Sequence, residues 1–181
     1  MEKLLSMDIS SSTIGWSLFE FDKNTINLLS YGHIKPPNKA KADKLGYGLS
    51  YRLSEISKEI KNLITKTQPD KVAVEDYAKK FSAGRSSANT IIILATVNET
   101  VSLVCFQMMG IEVTRLPVTR LRSVVKKKYQ VDVKDKDDAM KLIKQVFPIF
   151  SSVLNKNGNT KKECYDESDA AIVGLGYHIL L

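Results

Sequence analysis

The chain has 181 residues, 43% apolar and 26% charged, a balance that predicts one globular domain over residues 1–181 with a core of its own. It has no unbroken apolar run long enough for a transmembrane helix, no secretory leader and no metal-type cysteine spacing, so a cytosolic protein with reduced thiols at Cys105 and Cys164 is expected. The formal net charge of +7 admits a nucleic-acid partner without requiring one.

Residues 2–10 predict a strand, with Leu4, Ser6 and Asp8 on one face and Leu5, Met7 and Ile9 on the other. The turn "SSST" leads to a second strand over 14–22 and a third over 25–34, with Asp22-Lys23-Asn24 as the hairpin turn between them. Residues 35–43 are polar and Pro-containing and predict a loop. Apolar residues at three- and four-residue spacings predict a helix over 46–67, stopped at Gln68-Pro69-Asp70. "KVAVED", 71–76, has the β-branched look of a central strand. A polar loop is expected at 77–87, a long apolar helix at 86–109 and a strand at 111–117. Short helices follow over "VTRLRSVVKKKY" and "KDKDDAMKLIKQVFP", the latter with Asp135 as N-cap. Residues 149–165 predict mostly loop, and a last, short helix starts near Asp166. Three antiparallel strands followed by βα units predict an α/β fold, a mixed sheet with helices on both faces.

Asp166 and Asp169 are three apart and share a helix face, next to the apolar Ala170, Ala171, Ile172, Val173 and Leu175. First-turn acids complement the helix dipole, and Asp166 could act as an N-cap. Asp8, however, interrupts the apolar first strand, and Glu75 ends the apolar "KVAVE". Acids there are costly for the fold unless a positive charge meets them. If the last helix crosses those two strands, four carboxylates meet at one point. Oxygen donors without His or Cys favour a hard cation, Mg²⁺ or Mn²⁺, and two such ions would suit phosphodiester hydrolysis.

"LLSMDISSSTIGWSLFE", "VAVEDYA" and "DESDAAIVGLGYH", in this order, resemble the RuvC-type Holliday junction resolvases, and "MGIEVTRLPVTRLRSVV" is similar to that family's segment after the long helix. The resemblance covers nearly the whole chain. It implies an RNase H-like fold, a homodimer and metal-dependent nicking of branched DNA, chiefly four-way junctions. It implies that Asp8, Glu75, Asp166 and Asp169 are the catalytic and metal-holding acids, with Asp76 and Glu167 as non-ligand neighbours. The small size would suit a phage or viral member. An RNase H acting on RNA–DNA hybrids and a non-catalytic DNA-binding relative remain alternatives.

Lys79, Lys80 and Arg85 follow Glu75 closely, and Arg115, Arg120, Arg122, Lys126, Lys127 and Lys128 come further on. These are the candidate phosphate contacts. Phe81, or else Tyr77, is the candidate aromatic for the branch point, a role the resemblance also implies. The helix at 86–109 is apolar around most of its circumference, so one face is expected on the sheet and the rest against a two-fold partner. His178 is expected to be structural, and Trp16 and Tyr31 to be core residues.

Overall fold

A computed structural model describes residues 1–76 and 88–181, apart from the side chains of residues 39, 41 and 42. Strands β1 (Glu2–Ile9), β2 (Ile14–Phe21) and β3 (Ile26–Ile34) form an antiparallel meander. β4 (Lys71–Asp76) lies parallel beside β1, and β5 (Thr114–Pro117) parallel beside β4, giving the sheet order β3-β2-β1-β4-β5. The expected mixed sheet is therefore present.

Helix α1 (Lys39–Lys44) replaces part of the loop expected at 35–43. Its stretch KAKADK lacks Gly and Pro and consists mostly of good helix formers. Helix α2 (Leu49–Thr67) ends at Gln68, which takes the left-handed conformation beside Pro69. Helices α3 (Ala88–Met109), α4 (Val118–Tyr129), α5 (Lys136–Val146) and α6 (Lys162–Ile179) complete the chain. Asp135 caps α5 as expected, accepting a hydrogen bond from the Asp138 N–H at 3.0 Å.

Strand alternation in β1 feeds two cores. Leu5, Met7 and Ile9 join Val72, Val74, α2 and α3 on one side. Leu4 joins Phe19, Ala73, α4, α5 and α6 on the other. Ser6 faces α6, and its hydroxyl donates to the Ala170 carbonyl at 2.7 Å. That bond satisfies a buried polar group while holding the helix against the strand.

Small residues let α6 lie close to the sheet. A Cβ on Gly15 would come within 2.0 Å of the Asp166 carbonyl oxygen, and one on Gly174 within 2.2 Å of the Phe19 ring. α6 starts at Lys162, a full turn before the expected start near Asp166, and has 18 residues where a short helix was expected. Asp166 is thus not an N-cap, and the favourable position of a first-turn acid does not explain it.

Helix α3 packs against α2 and β1, with Val97, Asn98, Val101, Val104 and Cys105 buried. By length and composition alone it could span a membrane, although only 28% of its most apolar stretch is buried. Polar residues such as Asn98 and Glu99 break up its apolar run.

Candidate metal and phosphodiester site

Asp8 and Glu75 stand at the C-terminal ends of neighbouring parallel strands, each one residue past or beside the last Met7–Val74 pair. α6 crosses above them. Its close contact at Gly15 brings Asp166 and Asp169 over the end of β1. Carboxylate oxygens of Asp8, Asp166 and Asp169 all lie within 4.8 Å of one another. Glu75 lines the same cleft of about 280 Å³ as Asp8 and Asp169, together with Arg122 and Lys136. The four acids expected to meet do converge on one end of the sheet.

Crowding these charges in a partly buried place perturbs their protonation. Burial first, then the negative charges of Glu75 and Asp169, hold the Asp8 carboxyl well above the usual range. Burial and the Asp169 charge push Glu75 up to about 7. Burial also raises Asp169, against the opposing pull of Lys136.

Sequence reasoning missed Lys136. Its ammonium donates to Asp166 Oδ1 at 2.9 Å and reaches Asp169 Oδ2 at 3.2 Å. Although burial disfavours its charge, the hydrogen bond to Asp166 and the two carboxylates hold its pKa above the usual lysine range. A signal did exist. Lys136 is the first residue of α5, where the helix dipole disfavours a cation unless acids face it.

The donor chemistry fits a hard divalent cation: carboxylate oxygens converge, among the described residues no His or Cys joins them, and one positive charge already sits between two of them.

The neighbouring acids behave differently. Glu167 points away from the cluster and pairs with His33 Nδ1 on β3 at 2.7 Å. Asp76 follows Glu75 and, by strand alternation, faces the other side of the sheet. His178 sits near the far end of α6, within 2.9 Å of the Asp22 carbonyl. Tyr31 and Trp16 are half-buried rather than fully enclosed.

The basic candidates separate. Arg122 lines the acid cleft, and Arg120 is exposed on the same first half of α4. Lys126, Lys127 and Lys128 occupy the last turn of α4, and Lys128 lies roughly 9 Å beyond Arg122 along the axis. Lys126 pairs with Asp132 at 3.1 Å. Arg115 turns instead to α3, donating to Glu99 and Ser102, each at 2.9 Å. Tyr77, Lys79, Lys80, Phe81 and Arg85 lie outside the described residues.

Comparison with known proteins agrees with this architecture. The RuvC of Thermus thermophilus in complex with a Holliday junction substrate superposes with a TM-score of 0.70, covering 98% of this chain and 93% of that one, at 12% identity. The yeast mitochondrial Holliday junction resolvase gives a TM-score of 0.62 at 11% identity, covering 97% and 77%. This chain has the RNase H-like fold of the RuvC-type resolvases. In sequence it resembles the crossover junction endodeoxyribonuclease RuvC of Finegoldia magna, at 30% identity over 105 residues, or 56% of this chain. The match spans 60% of that relative's length. No family model matches the chain.

Proposed function

We propose that this chain belongs to the RuvC-type resolvases and is a single-domain, metal-dependent endonuclease that nicks four-way DNA junctions. The convergence of Asp8, Glu75, Asp166 and Asp169 at one end of a resolvase-type sheet carries the reading. These acids would hold divalent ions, Mg²⁺ or Mn²⁺ and two per site, which supply positive charge for the phosphate and an activated water. Glu75 must be deprotonated to take part, and Asp166 and Asp169 must exchange Lys136 for the ion. Arg122 and Arg120 stand where phosphates flanking the cut would meet them, with Lys126–Lys128 further along the same helix. Lys79, Lys80 and Arg85, with Phe81 or Tyr77 at the branch point, extend the proposed contact surface.

Two-fold assembly belongs to the same reading. Ile92, Leu103 and Phe106, which share one face of α3, are 60%, 56% and 52% exposed. A second copy covering that face would present two acid sites to two strands of one junction.

The Lys136 ion pairs favour a second reading, a DNA-binding relative in which Asp166 and Asp169 stay paired with Lys136 and take no metal. A nicking assay separates the two. An end-labelled four-way junction, a matching linear duplex and an RNA–DNA hybrid are each incubated with Mg²⁺, Mn²⁺ or EDTA. Metal-dependent paired cuts near the branch, with the duplex spared, support the resolvase. Binding without cuts supports the inactive relative, and cuts confined to the hybrid support an RNase H.

A further inference from the structure

The connection between α5 and α6 contains a small built hairpin that the acid site does not use. Leu154 and Thr160 form an antiparallel bridge. The Lys161 N–H donates to the Val153 carbonyl at 2.9 Å, and the Asn155 N–H to the Asn159 carbonyl at 2.7 Å. The Asn155 side chain locks the turn, accepting from the N–H groups of Asn157 and Asn159 at 2.8 and 3.1 Å. Gly158 supplies the left-handed residue at φ +78°. The root is fixed as well. Phe150 is buried against the Tyr31 ring at 4.5 Å, and the Val153 N–H reaches Cys164 Sγ at 3.3 Å.

A turn this well anchored carries side chains that the rest of the chain leaves uncovered. Val153 and Leu154 are 54% and 57% exposed. Residues 151–162 contain three lysines, Lys156, Lys161 and Lys162, and no acid. All three lysines are exposed, and among the described residues none forms an ion pair. A rigid, purely basic projection with an apolar pair beside it matches the chemistry of a duplex groove. Lysines meet the phosphates, and the apolar side chains lie against the sugars.

The location strengthens this match. The hairpin root, β3 and the first turns of α6 enclose a cleft of about 260 Å³ lined by Glu167, the residue after Asp166. The hairpin thus stands at the β3 side of the acid site, whereas Arg122 and α4 stand at the other side.

We infer that the 151–162 hairpin is a second DNA-contact element, which grips a duplex arm of the branched substrate on the side of the acid site opposite α4. The inference rests on the resolvase reading and names how that substrate is held.

The test is the salt dependence of binding to a fluorescein-labelled four-way junction, read by anisotropy with EDTA present. Each lysine that meets a duplex phosphate contributes about 0.9 to the slope of log affinity against log salt. Replacing Lys156, Lys161 and Lys162 together with Ala should lower that slope by about 2 to 3. Removing the same charge from α2, as Lys58, Lys61 and Lys66→Ala, should leave it unchanged. A Leu154→Glu variant should bind roughly 10-fold more weakly, a loss of one apolar groove contact plus a like-charge clash. Equal slopes for the wild type and the hairpin triple, or equal losses in both triples, overturn the inference while leaving the resolvase reading intact. An altered sedimentation coefficient with an unchanged slope overturns it in favour of a protein contact. Wild-type protein that binds no junction overturns both readings together.

Discussion

Helices α6 and α3 cover opposite faces of one sheet and depart from ordinary amphipathic design in opposite ways. α6 buries charge: Asp166 and Glu167 are enclosed with the apolar residues, and Asp169 is half-enclosed. α3 exposes oil: Leu103 and Phe106 face outward although their neighbours Val104 and Cys105 are buried. Each departure costs the isolated chain stability, one through repulsion and lost hydration, the other through unburied apolar area. Each cost would be offset by something from outside, a cation for α6 and a second copy for α3.

The largest expected effect removes charge from the α6 side. Asp8→Asn, Glu75→Gln, Asp166→Asn or Asp169→Asn should each lower junction nicking at least about 10³-fold, equivalent to roughly 4 kcal/mol of barrier. Junction binding should stay within about 2-fold, because basic side chains supply most of the affinity. Asp8→Asn should also raise the metal-free melting temperature, since it removes the cost of burying a carboxylate there and its repulsion from Glu75 and Asp169. Normal cutting by any two of these variants would break the assignment.

On the α3 side, Leu103→Glu or Phe106→Glu should convert a dimer into a monomer by sedimentation velocity and uncouple the two cuts on one junction. An unchanged sedimentation coefficient would mean that the exposed face has another use.

Lys136→Met sharpens the comparison within α6. It should destabilise the metal-free protein, because Asp166 and Asp169 lose the ammonium between them. It should also enlarge the rise in melting temperature that Mn²⁺ produces. A rise equal to that of the wild type would mean that Lys136 and the cation do not compete.

The smallest effect is on pH. Glu75 is raised from 4.5 to about 7 in the folded chain, so the fold binds more protons than the unfolded chain between those values. Stability contributed by protonated Glu75 is present below the unfolded value and lost as pH rises through about 7. Melting temperatures of the metal-free protein should fall by several degrees over that window, and less so in Glu75→Gln. Saturating Mg²⁺ should flatten the trend.

The positions of Asp8 and Glu75 were legible because an acid at the end of an apolar strand stands out from its neighbours. The mixed sheet and its two-sided core followed from alternation in β1 and from the βα rhythm after the antiparallel strands, whereas the strand order came only from the structure. The start of α6 was not legible, because Lys162, Glu163 and Tyr165 read as loop until their packing with α5 is known. Lys136 escaped for a related reason. Its partners lie 30 and 33 positions away in sequence, and only the packing of α5 on α6 joins them. The α1 helix and the hairpin at Asn155–Gly158 were hidden by polar composition, which loops and exposed ordered elements share.

The contact at Gly15 has a consequence for how such a molecule can vary. With α6 pinned there and at Ser6 and Phe19, the depth and rotation of the helix are set inside the core. The acids are therefore aimed mainly from within the core, and the chain entering α6 adds only the Val153–Cys164 contact at the first turn. That frees residues 151–161 to lengthen, shorten or change sequence without detuning the chemistry beside them, so substrate grip can be altered while the cutting centre stays the same.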